Sequence, residues 1–428
     1  MKAVDESVVE QASLEWLAGL GYTTVHGDDL SPGADDDSPR RRYSDVVLKP
    51  RVRDAVARLN PGLTPKEVET ATVAVSTYAS QSVVDGNKEV YDWLRNGVPV
   101  DRVEADGRRT VVRARVIDFE GGNDLLAVQQ FTVHGQKVRR PDVVLFVNGL
   151  PLVVIELKNP ADINADIEAA YNQIQTYKVD IPQLFFFNLL NVISDGTVAR
   201  YGSVTADLSR HSRWRLLDGK KVGKGQLELE VLIRGLMDET TLLSFFRGFV
   251  AFGGANGGAT YKIIAQWHQY HGVLRAVERA LSALDKRDGK GGVIWFTQGS
   301  GKSLLALFYV MALRDRPEFE NPTIVLVTDR KDLDGQLFET FADCAVSLRA
   351  TAKQAEDRDD LRDKLSSIEA GGVFFTTINK FAPDPGQNTV PELCTRANVI
   401  VIADEAHRTQ YGFKATLDTK TGKTKYGL

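Results

Sequence analysis

Asp142, Glu156 and Lys158 bracket a single apolar stretch, PDVVLFVNGLPLVVIELK, at residues 141–158. Residues 143–147 and 152–155 are apolar runs, and Asn148-Gly149 between them is a favoured two-residue hairpin turn. Six residues follow Asp142 up to the middle of the turn, and eight lead from Gly149 to Glu156, so folding the hairpin carries both acids towards one end. Side chains alternate across a strand, which puts Glu156 and Lys158 on one face. Charged groups at the end of a doubly covered strand are costly unless paired, hydrated or bound. Two carboxylates and an ammonium gathered in this way suit metal-dependent phosphodiester cleavage. Asp142 and Glu156 would hold Mg²⁺, a hard cation that takes oxygen ligands, with Mn²⁺ as a possible substitute. Lys158 would orient water or stabilise developing negative charge. A salt bridge at a strand end would use the same residues.

A second group of residues suits nucleotide chemistry. In VIWFTQGSGKSLL an apolar run, residues 293–296, leads into Thr297, Gln298, Gly299, Ser300, Gly301, Lys302 and Ser303, followed by a helical pattern. Small residues let backbone N–H groups curl around phosphate at a helix N-terminus. Lys302 would reach the β- and γ-phosphates, and Ser303 would ligate Mg²⁺. The general pattern has glycine where this chain has Phe296. Downstream, NVIVIADEAHRTQYG is an apolar run ending in Asp404, Glu405, Ala406 and His407. Asp404 would hold Mg²⁺ opposite Ser303, Glu405 would polarise the attacking water, and His407 would couple nucleotide state to the rest of a motor. Gln269, upstream in AQWHQYHGV, could read an adenine edge. Arg330 and Lys380 are candidate phosphate contacts, with an ordinary surface charge as the alternative for each.

The elements that must position these groups follow from the wider pattern. A length of 428 residues suggests two or three domains, and 43% apolar with 26% charged residues is an ordinary globular composition. No apolar run reaches membrane-span length, and the N-terminal MKAVDESVVEQ lacks a secretory core. Cys344 and Cys394 are the only cysteines, which excludes a disulfide framework and a cysteine-based metal site. Together these favour the cytoplasm. The net charge of −4 requires any nucleic-acid contact to use local basic patches, such as RRTVVRAR, KVRRPD or RHSRWR. Residues 6–20 read as an amphipathic helix, 27–42 as a polar loop whose charge changes sign, and 43–59 as the lead into a capped helix. Strand patterns fill residues 111–187 around one helix at 163–177. Helical patterns return at 226–252, before FGGANGGATYK, the best linker candidate. Beyond it, strands are expected at 293–297, 323–328, 373–377 and 399–403, alternating with helices as in a parallel α/β sheet.

The order Asp, hairpin, ExK and then a helix carrying Gln173 and Tyr177 four residues apart resembles the PD-(D/E)xK nucleases of DNA-processing motors. The resemblance implies that Gln173 and Tyr177 lie near the active site and help position DNA or the metal-bound acids; helix-surface packing is the alternative. It also implies that Glu10, in ESVVEQ, supplies a further acid. Joined to FTQGSGKS, TDRKDLDGQ and ADEAHRTQYG, these pieces resemble the R (motor and endonuclease) subunit of type I restriction enzymes. The expected fold is α/β. A PD-(D/E)xK nuclease-like mixed-sheet domain at 1–252 and a glycine-rich linker at 253–262 precede an incomplete P-loop, RecA-like superfamily 2 domain with a parallel sheet at 263–428. The implied cofactors are Mg²⁺ and ATP. The implied partners are double-stranded DNA and the methylation and specificity subunits, with no membrane.

R subunits of that family continue past the DEAH box, whereas this sequence stops at Leu428. The expectation is a chain that binds ATP weakly, hydrolyses little and does not translocate alone. The missing second lobe would bring an arginine finger, worth about 10³–10⁵ in rate in related NTPases. Two rival readings stay open: a superfamily 2 translocase or helicase fragment with a degenerate nuclease domain, and an inactive fragment that only binds DNA or partner subunits.

Overall fold

A computed structural model describes residues 6–33, 38–158, 166–217, 220–221, 225–328, 331–381, 392–405, 415–417 and 424–426. Its contacts divide into two compact units. One comprises Met1–Val250 with Thr260–His268, and the other Ala251–Ala259 with Gln269–Leu428.

The first unit is built on a six-stranded mixed sheet whose spatial order follows the chain: β1 (Thr23–His26), β2 (Leu125–Gln129), β3 (Val143–Val147), β4 (Leu150–Leu157), β5 (Leu190–Ser194) and β6 (Ala199–Gly202). β1 and β2 are parallel, β2–β3–β4 antiparallel, β4 and β5 parallel, and β5 and β6 antiparallel. Asn148 and Gly149 both have positive φ, 50° and 80°, the geometry a two-residue turn of matching twist requires. Glycine is needed at 149 for a second reason: a β-carbon there would fall 2.6 Å from the Leu48 carbonyl oxygen. Asn148 ties the turn down through its side-chain amide, donating to the Val116 carbonyl and Asn123 and accepting from the Asp124 N–H.

All residues of β3 and β4 are buried, as two-sided burial of an apolar run predicts. Helix α1 (Glu6–Ala18) lies against β1, β2 and β4. Helices α2 (Lys49–Leu59) and α3 (Pro65–Ser76) pack on each other. α3 begins with a capping box in which Thr64 and Glu67 satisfy each other's backbone N–H groups, with Pro65 at the first turn. α4 (Val83–Asn96) follows. α5 (Ile167–Asp180) crosses between the parallel strands β4 and β5 and packs on both. It is capped by Asp166 and runs a turn beyond the expected end at 177; residues 163–165 lie outside the described residues. α6 (Glu228–Leu236) and α7 (Glu239–Gly248) fall in the stretch expected to be helical, 226–252.

The loop expected at 27–42 is not uniformly solvated. Gly27–Leu30 forms a 3₁₀ turn capped by His26. Arg40 is buried, donating to the carbonyls of Asp45, Tyr43 and Thr132. The glycine-rich stretch lies between two short strands, Val250–Gly253 and Tyr261–Ile264, so the expected linker ends reach into regular structure.

The second unit holds a four-stranded, fully parallel sheet in the order β8–β9–β7–β10. Its strands are β7 (Thr323–Thr328), β8 (Ala352–Gln354), β9 (Val373–Thr377) and β10 (Val399–Ala403). Its helices are α8 (Trp267–Lys286), which belongs to it from Gln269 onward, α9 (Lys302–Arg314), α10 (Lys331–Asp343), α11 (Ala345–Leu348) and α12 (Arg358–Ser366). Val325, Val327 and Phe374 of the sheet pack with Ala355, Leu361 and Leu365. One expected strand is absent: residues 293–297 have no regular secondary structure and pair with no described strand, and Val293 and Trp295 are each 93% exposed. The run has the residue types of a strand, but a strand forms only against a partner edge, and β7 takes β9 on one side and β10 on the other. Phe296 of the same run is directed towards α8, where a β-carbon on Gly272 would fall 2.7 Å from its ring.

Candidate nuclease and nucleotide sites

The hairpin register places the acids. Val143 pairs with Ile155 across a bulge at Leu145/Phe146 that absorbs the unequal arm lengths, so Asp142 falls beside Glu156. Asp142 is 6% exposed and Glu156 1%. One Asp142 oxygen, Oδ2, accepts the Leu157 N–H at 2.7 Å, which locks the acid to the end of β4. Lys158 Nζ donates to Glu156 Oε1 at 2.6 Å and to the Leu157 carbonyl at 3.1 Å. The three residues singled out from the sequence therefore share one buried strand end.

Burial pushes the Glu156 carboxyl up to about 8, and the Asp142 charge adds to the rise; Lys158 and the Tyr177 phenol oppose it. The second Glu156 oxygen, Oε2, is buried and has no partner of hydrogen-bonding geometry among the described residues. A buried carboxylate oxygen in that state calls for a cation or water. Two buried acids, one with an unsatisfied oxygen, fit a hard divalent ion. Among the described residues no third His, Cys, Asp or Glu joins them to form a larger cluster, so backbone oxygen and water would complete the shell.

Tyr177 on α5 lies at the same place. Burial raises its phenol pKa, and the Glu156 and Asp142 charges raise it further, while Gln173 hydrogen-bonds it one turn earlier on the helix. Its hydroxyl donates to the Arg140 carbonyl at 3.4 Å. Tyr177 thus stands beside the acids, with Gln173 against it rather than against the acids themselves. Glu10 is buried on α1, with its oxygens accepting from the side-chain amides of Gln129 and Gln130 at 2.6 and 2.9 Å. Those two glutamines were not singled out from the sequence. Their signal was available, since polar residues close the apolar strand β2 much as Glu156 closes β4.

In the second unit, Gly299 and Gly301 adopt positive φ, 77° and 78°, at the turn into α9. Ser300 Oγ donates to the Thr297 carbonyl at 2.6 Å, closing the loop on itself. Gln269 on α8 is buried and donates to the Gly301 carbonyl at 3.0 Å, so it braces the phosphate loop. Lys302 Nζ lies 3.5 Å from Glu405 Oε1. Asp404 continues the β10–β7 pairing through its N–H to the Val327 carbonyl, and Glu405 turns away with φ 49°. Gln298 and Ser303 lie in the same loop-to-helix segment. Lys380 donates to the Ala355 carbonyl. His407 and Arg330 lie outside the described residues.

Comparison with known proteins agrees with this pairing of sites. Residues 4–210 match the family described as type I restriction enzyme R protein N terminus, and residues 268–424 match the SWI2/SNF2 ATPase family. The chain thus joins a restriction-type nuclease domain to a SWI2/SNF2 ATPase domain in one mixed α/β polypeptide. It is 43% identical over 99% of its length to the type I restriction enzyme HindI endonuclease subunit of Haemophilus influenzae, covering 41% of that protein. It is 32% identical over 96% of its length to the putative type I restriction enzyme MjaIXP endonuclease subunit of Methanocaldococcus jannaschii, covering 40% of it. The chain is similar to type I restriction enzyme endonuclease subunits over nearly its whole length, and it spans about two fifths of the length of these relatives. Among the described residues no helix is long and apolar enough to cross a membrane.

Proposed function

We propose that this chain is the nuclease and front motor part of a type I restriction enzyme R subunit, working on duplex DNA in the cytoplasm. The first unit is read as a PD-(D/E)xK nuclease domain (1–252) and the second as a RecA-like lobe (263–428), with residues 253–262 between them. In the full enzyme, with methylation and specificity subunits, DNA cutting would be coupled to ATP-driven translocation. The observation that carries this reading is the pair of buried acids at one strand end, one with an unpaired oxygen, beside an ammonium.

The division of labour follows from the geometry. Asp142 and Glu156 would hold Mg²⁺ through carboxylate oxygens. When bound, the ion would supply Lewis-acid activation of water and screening of phosphate charge. Lys158, anchored on Glu156, is placed to hold the attacking water or a phosphate oxygen. Tyr177 and Gln173 would keep the Glu156 carboxyl oriented. Glu156 must lose its proton before it can ligate a cation, so binding would release a proton over the range below about 8. In the second unit Lys302 would exchange Glu405 for the β- and γ-phosphates of ATP. Ser303 and Asp404 would hold its Mg²⁺, and Glu405, once released, would polarise the attacking water, with His407 as the coupling residue.

The test is reconstitution of the complex with methylation and specificity subunits. Glu156→Ala is expected to abolish Mg²⁺-dependent strand cutting while nucleotide binding by the second unit is unchanged. Unchanged cutting would instead favour a translocase whose nuclease fold is degenerate.

A further inference from the structure

Gln130 stands between two acids. Its Nε2 donates to Glu10 Oε1 at 2.9 Å and lies 3.4 Å from Asp142 Oδ1, one amide group reaching both. Its backbone N–H donates to the Asp142 carbonyl at 2.7 Å. The residue adopts the left-handed region, φ 56°, which a non-glycine side chain disfavours. Its carbonyl presses on the end of β1, where a β-carbon on Gly27 would fall 2.2 Å from the Gln130 oxygen. A disfavoured backbone held from several directions is the usual sign that its side chain is needed in one place.

We propose that Gln130 is a positioning residue that ties Glu10 to Asp142, and that Glu10 acts through it rather than as a third metal ligand. The proposal rests on reading Asp142 and Glu156 as a divalent-cation site. Glu10 spends an oxygen on each of two glutamine amides, and it does not join Asp142 and Glu156 in a three-acid cluster. An amide NH₂ has two hydrogens, one for each acid. With the Leu157 N–H on Oδ2 and the Gln130 amide on Oδ1, the rotation of the Asp142 carboxylate is fixed from both sides. Outer partners of this kind, which orient a ligand without touching the ion, typically change metal affinity by about 10–100-fold.

The experiment is a calorimetric Mn²⁺ titration of the full chain, with Asp142→Asn as the reference for loss of the site. Gln130→Asn is the informative variant: asparagine tolerates the left-handed backbone well, but its amide is one methylene too short to span both acids. It is expected to weaken Mn²⁺ binding about tenfold with the melting temperature unchanged or raised. Gln130→Gly, which relieves the backbone altogether, is expected to do the same. Glu10→Gln is expected to weaken binding much less than Asp142→Asn. Wild-type affinity in both Gln130 variants would overturn the proposal, as would a Glu10→Gln loss equal to that of Asp142→Asn. Absence of any Asp142-dependent Mn²⁺ binding in the wild-type chain would instead overturn the cation-site reading, and this proposal with it.

Discussion

The hairpin β3–β4 and the phosphate loop each place charged residues at the end of an apolar run, yet the two runs are treated differently. Every residue of β3 and β4 is buried; at their end Asp142 is held by the Leu157 N–H and by Gln130, just past β2, and Glu156 by Lys158. The run before the phosphate loop joins no described strand, and two of its large residues face solvent. The difference lies in the source of the constraint. A hairpin supplies its own partner across a two-residue turn, so the site forms from adjacent sequence. A parallel strand must find its neighbours from distant sequence and gains nothing until they pair.

The comparison can be broken most directly through stability. Ile155→Ala, in the buried hairpin strand, is expected to cost about 2–5 kcal/mol in urea melts monitored on the first unit. Trp295→Ala, at a 93% exposed position, should stay within about 0.5 kcal/mol in melts of the second. Similar costs for the two would remove the contrast.

A smaller effect separates the sites by pH. Folding raises the Glu156 carboxyl from 4.5 to about 8, so between these values the folded chain binds more protons than the unfolded one. Stability from this group is therefore lost as pH rises through that window, by up to about 1.4 kcal/mol per pH unit. Melts compared at about pH 5.5 and about pH 7.5 should show a steeper decline in the wild type than in Glu156→Gln. Equal slopes would place Glu156 in a wetter, less coupled setting than its burial indicates.

The smallest effect concerns the nucleotide loop. The Lys302–Glu405 pair is partly exposed and competes with phosphate for the lysine. Glu405→Gln should therefore tighten ATP binding by only about 1.5–5-fold in a fluorescent-nucleotide titration, the range for a solvent-screened pair. A tenfold weakening would mean that Glu405 supports binding instead of competing with it.

What was legible in the sequence follows the same division. Asn148-Gly149 and the flanking apolar runs specified the hairpin, and counting outward from the turn brought Asp142 and Glu156 to one end even though a bulge intervenes. Gln173 and Tyr177 share a helix face by their four-residue spacing, and the crossover α5 brings that face to the acids. The Gln129 and Gln130 contacts were hidden because they depend on β2 pairing with β3, across the residues between them, and on where α1 comes to rest. The misread strand at 293–297 failed for the converse reason. Its composition was that of a strand, but composition carries no information about whether a partner edge is within reach.

The central claim is that Asp142 and Glu156 share one divalent ion. Diffraction from crystals soaked in Mn²⁺, with its anomalous signal, tests this without relying on turnover. One peak bonded to both carboxylates at the end of β4, absent in Asp142→Asn crystals, is the result the account predicts. A peak elsewhere, or an undisturbed Lys158–Glu156 pair with no ion beside it at saturating Mn²⁺, would contradict it.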